Sequence, residues 1–368
     1  MAEKLKVGIA GFGMIGPVHF YNIWKKSRDL AEVVAIADPD ENQIRAGLEK
    51  AIGDIRLLSP EITDAEIERL RKTRTFNNYM SLFYGNSADI NVVHICLPHD
   101  MHLGVIERGI KNDKHIIVEK PLVLSSLEAR HILRIQKIHR YQKKIGLISQ
   151  NRYNDEISWL KQQIDKYWPI KGIEVNVDWY REQKYYDLNE GWRGKNRRAL
   201  GGVLTNQAYH QLDLALWLMD YKGEDIDIED RVNSTNKNLH PNIEVSDTVS
   251  GIIRLDNGFI KYYGTTCNPE KIDITKFKVH FNKGYIELIN EGGKVYTISD
   301  FLEVPEEFDK RKDAYNLQLG RPSYGFGHAD NIRYAYEAML NGTTPPISLE
   351  DGINVLKVTD AILGISKY

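Results

Sequence analysis

The chain has 368 residues and only two cysteines, Cys96 and Cys267. Two thiols in apolar, strand-like contexts make no disulfide framework, and they suit a reducing compartment. Long apolar runs are also missing: none approaches the ~20 residues that a membrane span needs. No charge sign dominates. Lys and Arg number 49 against 51 Asp and Glu, a formal net charge of -2. That balance provides no general attraction to nucleic acid or to an anionic membrane surface. No internal repeat or low-complexity tract is present. Met1–Lys6 leads almost at once into an apolar strand, leaving no room for a signal peptide. The expectation is a cytoplasmic protein with neither nucleic acid nor membrane as a partner.

What remains is ample for folding. A hydrophobic share of 42% supplies real cores, and the length favours two domains. Up to about residue 150, strands alternate with helices: strands at 6–10, 33–37, 91–98, 115–118 and 145–149, and helices at 16–28, 61–70, 102–111 and 125–140. Continuous apolar runs such as Val92-Val93-His94-Ile95-Cys96-Leu97 suit strands buried on both faces. This alternation predicts a doubly wound parallel sheet, an α/β Rossmann domain over 1–150. After about residue 170 the runs alternate with period two, at 173–179, 248–255 and 259–266. Asp256-Asn257-Gly258 between the last two is a hairpin signal. One amphipathic helix is expected at 202–219 and two more at 326–341 and 349–366. The charged stretch 303–313 reads as a solvated loop. The prediction for 151–368 is an α+β substrate-binding and oligomerisation domain. It has a large, open, mainly antiparallel sheet, and its C-terminal helices pack back on the first domain.

The strongest motif is Val7–Gly16, an apolar strand ending in G-x-G-x-x-G. Gly11, Gly13 and Gly16 suit a tight turn, a close approach to a pyrophosphate and tight helix packing. Phe12, Met14 and Ile15 complete the loop. The helix that follows aims its N-terminal N–H groups at the anion. The second strand ends in Asp38, about 20 residues further on, as a dinucleotide site requires. A carboxylate there accepts from both ribose hydroxyls of NAD and repels the 2′-phosphate of NADP; Pro39-Asp40-Glu41-Asn42 offers no arginine to that phosphate. NAD is therefore expected over NADP. Asp38 also suits a helix N-cap, and the two roles are compatible.

Two further motifs carry chemistry. Glu119-Lys120-Pro121 follows the strand 115–118, and ligands bind at the carboxyl ends of such strands. A lysine there can polarise an oxygen or shuttle a proton; elsewhere it would be an ordinary turn lysine. In Gly201–Asp213, helical spacing puts Asn206 and His210 on one face and Asp213 a turn later. His210 suits a proton acceptor near neutral pH, or a satisfied buried histidine.

Together these motifs resemble the Gfo/Idh/MocA family of sugar and polyol dehydrogenases, over nearly the whole chain. The resemblance runs through G-x-G-x-x-G, Leu97-Pro98, His102, Glu119-Lys120-Pro121, the glycine pair with His210 and Asp213, and the 247–258 hairpin. It implies an NAD-dependent oxidoreductase acting on a secondary alcohol of a sugar, polyol, glycoside or nucleotide sugar. Lys120 and His210 would be catalytic. Leu97, Pro98, His102, Glu119 and Lys120 would lie along the cofactor, and Asn206 and Asp213 along the substrate. The family commonly has an aspartate where this chain has Asn206, and asparagine cannot take a proton. Asn206 and Trp192-Arg193-Gly194 look like the sugar-oxidising branches that include UDP-sugar and glucoside 3-dehydrogenases. The other reading is a catalytically silent dinucleotide-binding sensor of the same fold.

The segment 179–198 interleaves aromatic and basic residues. Tyr180, Trp192 and Arg193 are expected to bind substrate, since aromatic faces pack on sugar rings and arginine suits phosphate or carboxylate; an oligomer contact is the alternative. His99-Asp100-Met101-His102 lacks metal-site spacing, and no metal is expected. The open sheet face is expected to pair with a second copy, giving a homodimer or homotetramer.

Overall fold

Runs of valine, isoleucine and alanine form six short strands: β1 (Leu5–Ala10), β2 (Ala31–Ala37), β3 (Arg74–Phe76), β4 (Val92–Ile95), β5 (His115–Val118) and β6 (Ile145–Leu147). In the computed structural model, residues 3–84, 89–309 and 327–365 are described. The six strands lie in the order β3-β2-β1-β4-β5-β6, all parallel. The order reverses between β1 and β4, where a doubly wound sheet opens its ligand crevice. The chain divides into two units. The first holds 1–122, 128–150 and 326–349, and the second holds 123–127, 151–325 and 350–368.

In the first unit, α1 (Gly16–Ser27) starts directly from the glycine loop with Pro17 in its first turn, where a missing N–H costs nothing. The sequence reading passed over α2 (Glu41–Leu58), whose Asp40 cap accepts from the Asn42 and Gln43 N–H groups. It placed α3 (Asp64–Arg71), which a Thr63/Glu66 capping box starts. Next come α4 (His102–Lys111) and α5 (Ser126–Ile138). A late segment, α10 (Gly327–Leu340), packs on α1: Asp330 pairs with Lys26, and Arg333 reaches Asp29 at 2.9 Å.

The second unit is built on eight strands: β7 (Ile170–Asp178), β8 (Asp227–Ser234), β9 (Thr248–Leu255), β10 (Gly258–Thr265), β11 (Ile274–Phe281), β12 (Tyr285–Glu291), β13 (Lys294–Ser299) and β14 (Glu307–Asp309). Their order is β14-β13-β12-β11-β7-β10-β9-β8, and only the β7–β10 pair is parallel. Ile173, Val249, Ile260 and Val279 of the sheet share one core with Leu160 of α6 (Asp155–Tyr167), Leu212 of α9 (Tyr209–Leu218) and Val355 of α11 (Leu349–Leu363). Thus α10 belongs to the first unit and α11 to the second.

Three local expectations change. The 202–219 helix is broken into α8 (Val203–Asn206) and α9, with Gln207 and Ala208 between them. In the β9–β10 turn, Gly258 rather than Asn257 takes the positive φ (148°), and its Cβ would lie 2.3 Å from the Lys171 carbonyl. Within the stretch read as a solvated loop, Glu307–Asp309 forms β14 against β13; residues 310–313 lie outside the described residues.

Candidate active site

Two glycines of the G-x-G-x-x-G loop are sterically required. Gly11 has φ 87°, and a Cβ there would lie 2.4 Å from the Cys96 carbonyl oxygen; a Cβ on Gly16 would meet the Gly11 oxygen at the same distance. Gly13 is different: its nearest neighbour is the end of the Gln43 side chain at 3.5 Å. The loop is therefore fixed at its ends and has room at its middle glycine for a ligand's close approach. Met14 is exposed, Ile15 half-buried and Phe12 buried.

Asp38 closes the loop from the end of β2. Its Oδ2 accepts from the Phe12 N–H (2.7 Å) and from Gln43 Nε2 (3.0 Å), and its Oδ1 accepts from the Asp40 N–H (3.0 Å). It is not the α2 cap, a role that Asp40 fills. One carboxylate thus braces the glycine turn from the end of β2. The open middle glycine, the N-terminus of α1 and this carboxylate together fit NAD.

Leu97 and Pro98 follow β4 and are half-buried. His102, expected along the cofactor, is instead fully buried between two carbonyls, with Nδ1 2.8 Å from Pro121 O and Nε2 2.9 Å from Leu97 O. Burial lowers its proton affinity, so the neutral ring donates to one carbonyl at a time and ties the two loops together.

Glu119 also departs from expectation, because its side chain turns into the protein. Oε1 accepts from His19 Nε2 at 2.9 Å, and Oε2 faces the Lys120 N–H at 3.2 Å. Burial pushes this carboxyl up, but the His19 hydrogen bond and the nearby Lys120 ammonium outweigh it and hold it at about 2. Any contact from Glu119 to a cofactor falls to its backbone. Lys120, half-buried, stands at the carboxyl end of β5.

In the second unit, the glycine pair sets the start of α8. Gly202 has φ 50°, and a Cβ on it would lie 2.1 Å from the Ser246 oxygen. Asn206 ends α8, and its Nδ2 donates back to the Gly202 carbonyl (3.1 Å). His210 lies in the first turn of α9, half-buried, its ring edge-on to Tyr209. The break between α8 and α9 removes the continuous i, i+4 face expected for Asn206 and His210. Asp213 is not at a substrate surface: it is 1% exposed and paired with Arg152, which also reaches Asp351 at 2.8 Å. A buried guanidinium needs carboxylates around it, and Asp213 supplies one.

The segment 179–198, which contains the short helix α7 (Gln183–Asp187), forms an aromatic–cation stack. The Arg193 guanidinium lies over Trp192 (4.7 Å) and Tyr185 (5.2 Å), and Arg181 over Trp179 (4.9 Å). Tyr185 accepts from Gln207 Nε2 at 2.9 Å, linking the stack to the break between α8 and α9. Arg193 Nη1 is buried without a hydrogen-bond partner among the described residues. Tyr180 donates its N–H to Asp273 (3.0 Å), and Lys271 sits over its ring.

The sequence reading missed one cluster. His240 Nδ1 lies 2.7 Å from Asp247 Oδ2 and 3.9 Å from Cys267 Sγ, and His240 Nε2 donates to the Arg181 carbonyl at 2.8 Å. These three residue types are metal-capable, and their ligand atoms lie within 4.8 Å of one another. The 2.7 Å separation of His240 Nδ1 and Asp247 Oδ2 is that of a charge-assisted hydrogen bond. Asp247 was read only as the start of a hairpin, and the 27 residues separating His240 from Cys267 form no motif.

A parallel Rossmann sheet with a glycine loop and a strand-end carboxylate defines a dinucleotide-binding protein. The chain belongs to the Gfo/Idh/MocA oxidoreductase family. The family's NAD-binding Rossmann-fold model matches residues 5–145, and its C-terminal alpha/beta domain model matches 161–364. The chain is 25% identical over 252 residues to inositol 2-dehydrogenase of Salmonella typhimurium, covering 67% of this chain and 65% of that protein. It is 23% identical to a scyllo-inositol 2-dehydrogenase (NADP(+)) of Bacillus subtilis, over 99% of this chain and 94% of that one. Its fold matches the WlbA dehydrogenase of Chromobacterium violaceum, solved with NADH and UDP-GlcNAcA, with a TM-score of 0.76, 22% identity and coverage of 99% and 94%. It also matches a levoglucosan dehydrogenase complexed with NADH, with a TM-score of 0.72, 20% identity and coverage of 98% and 96%. The first unit is an NAD-binding Rossmann domain. No helix among the described residues is long and apolar enough to cross a membrane.

Proposed function

We propose that the protein is an NAD-dependent dehydrogenase that oxidises a secondary alcohol of a sugar, polyol, glycoside or nucleotide sugar, or runs the reverse reduction. The observation that carries this reading is Lys120 at the carboxyl end of β5, on a turn whose backbone N–H faces the Glu119 carboxylate. Bound NAD supplies the hydride acceptor. The Lys120 ammonium polarises the substrate oxygen, and His210 takes the hydroxyl proton. Gly11, Phe12, Gly13, Met14, Ile15, Gly16 and Asp38 hold the dinucleotide, with Leu97, Pro98 and Lys120 along its path. Asn206, Tyr180, Trp192 and Arg193 serve the substrate. Asn206 orients a hydroxyl but takes no proton. The buried Arg193 Nη1 is a donor in need of an acceptor, which suits an anionic or oxygen-rich ligand.

Absorbance of NADH in the presence of sugars, polyols, glycosides and UDP-sugars tests the reading. Turnover with one of these classes is expected, and Lys120→Ala should lower it by orders of magnitude with NAD affinity kept. Clear NAD binding with no turnover on any of them would favour the sensor reading, to which Asn206 in place of the family aspartate lends support.

A further inference from the structure

Four groups of the first unit that no catalytic role has absorbed form a continuous buried chain. Tyr336 Oη lies 2.7 Å from His94 Nε2, His94 Nδ1 lies 2.7 Å from His19 Nδ1, and His19 Nε2 lies 2.9 Å from Glu119 Oε1. Each residue comes from a different element: Tyr336 from α10, His94 from β4, His19 from the first turn of α1, and Glu119 from the end of β5. Tyr336, His94 and His19 are each 0% exposed, and Glu119 is 8% exposed. A second histidine, His328 of α10, stands 3.9 Å from the same Glu119 oxygen.

Proton counting gives the chain one direction. Glu119 is a carboxylate, so His19 Nε2 must carry the hydrogen it donates. The Tyr336 hydroxyl is buried with its proton, and His94 Nε2 accepts it. Burial lowers the proton affinity of His94, so this ring is neutral with its single hydrogen on Nδ1, donated to the bare Nδ1 of His19. Every donor therefore points toward Glu119, and every polar atom along the path is matched. Such an arrangement inside an apolar sheet persists only as a complete network, because one missing member strands a buried polar group.

The chain ends beside Lys120. The second oxygen of Glu119 faces the Lys120 N–H, and His19 lies three residues past the last glycine of the loop. We infer that Tyr336, His94 and His19 are positioning residues: through Glu119 they hold the Lys120 turn against the helix that carries the dinucleotide. The inference rests on the catalytic reading of Lys120 for its kinetic consequence but not for its existence.

Long-range proton–nitrogen NMR spectra of the labelled protein test the direction, with each histidine assigned by its Gln variant. The expected result is the Nδ1–H tautomer for His94 and the Nε2–H tautomer for His19. Opposite tautomers, or a doubly protonated His19, would overturn the one-way chain. The rate of Lys120 acetylation, read by mass spectrometry, tests the positioning without any substrate. His19→Phe and Glu119→Gln should change that rate at least tenfold, while NADH affinity stays within threefold. In turnover, both should lower kcat at least tenfold with KM little moved. His19→Phe should also add an acid limb to the pH profile, because a buried Glu119 without its donor protonates as the pH falls. His19→Gln, which keeps a donor for Glu119, should recover most of the loss. If His19→Phe does not fold, Glu119→Gln carries the same readings. Unchanged acetylation and kcat would leave Lys120 uncoupled from the chain and refute the inference. A wild type with no turnover on any sugar, but with the expected tautomers and acetylation rates, refutes the proposed function and keeps the inference.

Discussion

Arg152 donates Nε and Nη2 to the two carboxylate oxygens of Asp213, at 2.9 and 2.6 Å. The fork is bidentate and buried, and Arg152 also stacks on Trp217, 5.4 Å from its ring centre. Asp213 lies on α9, one turn past His210, so the pair fixes the helix that carries the proposed base. Removing one partner of such a pair costs about 3–5 kcal/mol, because the other charge stays buried and uncompensated. Asp213→Leu should therefore lower the unfolding free energy in urea by that order, and Asp213→Asn by less, since it keeps one acceptor for Arg152. An unfolding free energy unchanged by both would return Asp213 to the substrate surface where its spacing from His210 first put it.

Asp38 has two tasks, and a variant separates them. It braces the Phe12 N–H and Gln43, and in the proposed NAD site its carboxylate accepts from the ribose. Asp38→Ala should weaken NADH binding by about 10–100-fold, or roughly 1.4–2.8 kcal/mol by calorimetry. NADP binding should weaken less or improve, because the repulsion of a 2′-phosphate goes with the carboxylate. Equal losses for both cofactors would mean that only the brace matters.

The elements most legible in the sequence were those carried by a period. Continuous apolar runs marked β1, β2, β4 and β5, and alternation marked β7, β9 and β10. What stayed hidden depends on contacts distant in sequence. Asn206 and His210 look like neighbours on one helix until the break at Gln207 and Ala208 separates α8 from α9. The motif residues Glu119, His102 and Asp213 were found by type and spacing, yet each side chain is consumed by partners 5 to 100 residues away. Spacing identifies which groups gather at a site but not which face the ligand and which hold the others.

Gly202 tests how tightly the start of α8 is set. Its φ of 50° lies where side chains are strained, and a Cβ would sit 2.1 Å from the Ser246 oxygen, which also accepts the Val203 N–H at 2.9 Å. Relief would require moving the backbone just before Asp247. Gly202→Ala should cost about 2 kcal/mol or more in chemical denaturation and lower kcat by displacing α8. Gly53, where a Cβ meets nothing within 4 Å, is the matched control.

The large sheet is packed by helices through one set of alternate residues. Tyr263 of β10 and Tyr296 and Ile298 of β13 belong to the other set and are 38%, 40% and 43% exposed. Aromatic and branched residues on an uncovered sheet face suit pairing with a second copy. Light scattering should give a dimer or tetramer, and Tyr296→Glu with Ile298→Glu should shift it toward monomer with helicity unchanged. A wild type that is monomeric at micromolar concentration would remove this face as an interface.

The His240–Asp247 pair makes stability depend on pH in a definite direction. Burial alone would lower the proton affinity of His240. The hydrogen bond to Asp247, with help from Cys267 and the Arg181 carbonyl, outweighs burial and raises it to about 9. An unfolded histidine titrates near 6.5. The folded chain thus binds this proton more tightly, and the contribution is complete below about pH 6.5 and lost as the pH rises to about 9. Asp247 works on the opposite side: its carboxyl is held below the usual range, so its share is lost as the pH falls below about 4. The difference in urea stability between the wild type and His240→Asn should be largest between pH 4 and 6.5. It should shrink by roughly 3 kcal/mol by pH 9, about 1.4 kcal/mol per unit of raised proton affinity. Because His240 Nε2 donates to the carbonyl of Arg181, the same titration should loosen the aromatic–cation stack around Trp179 and Tyr185. Tryptophan fluorescence followed from pH 6 to 10 should then change with the stability difference in the wild type and stay flat in His240→Asn. A stability difference that did not vary with pH would mean that the pair holds its proton no more tightly folded than unfolded.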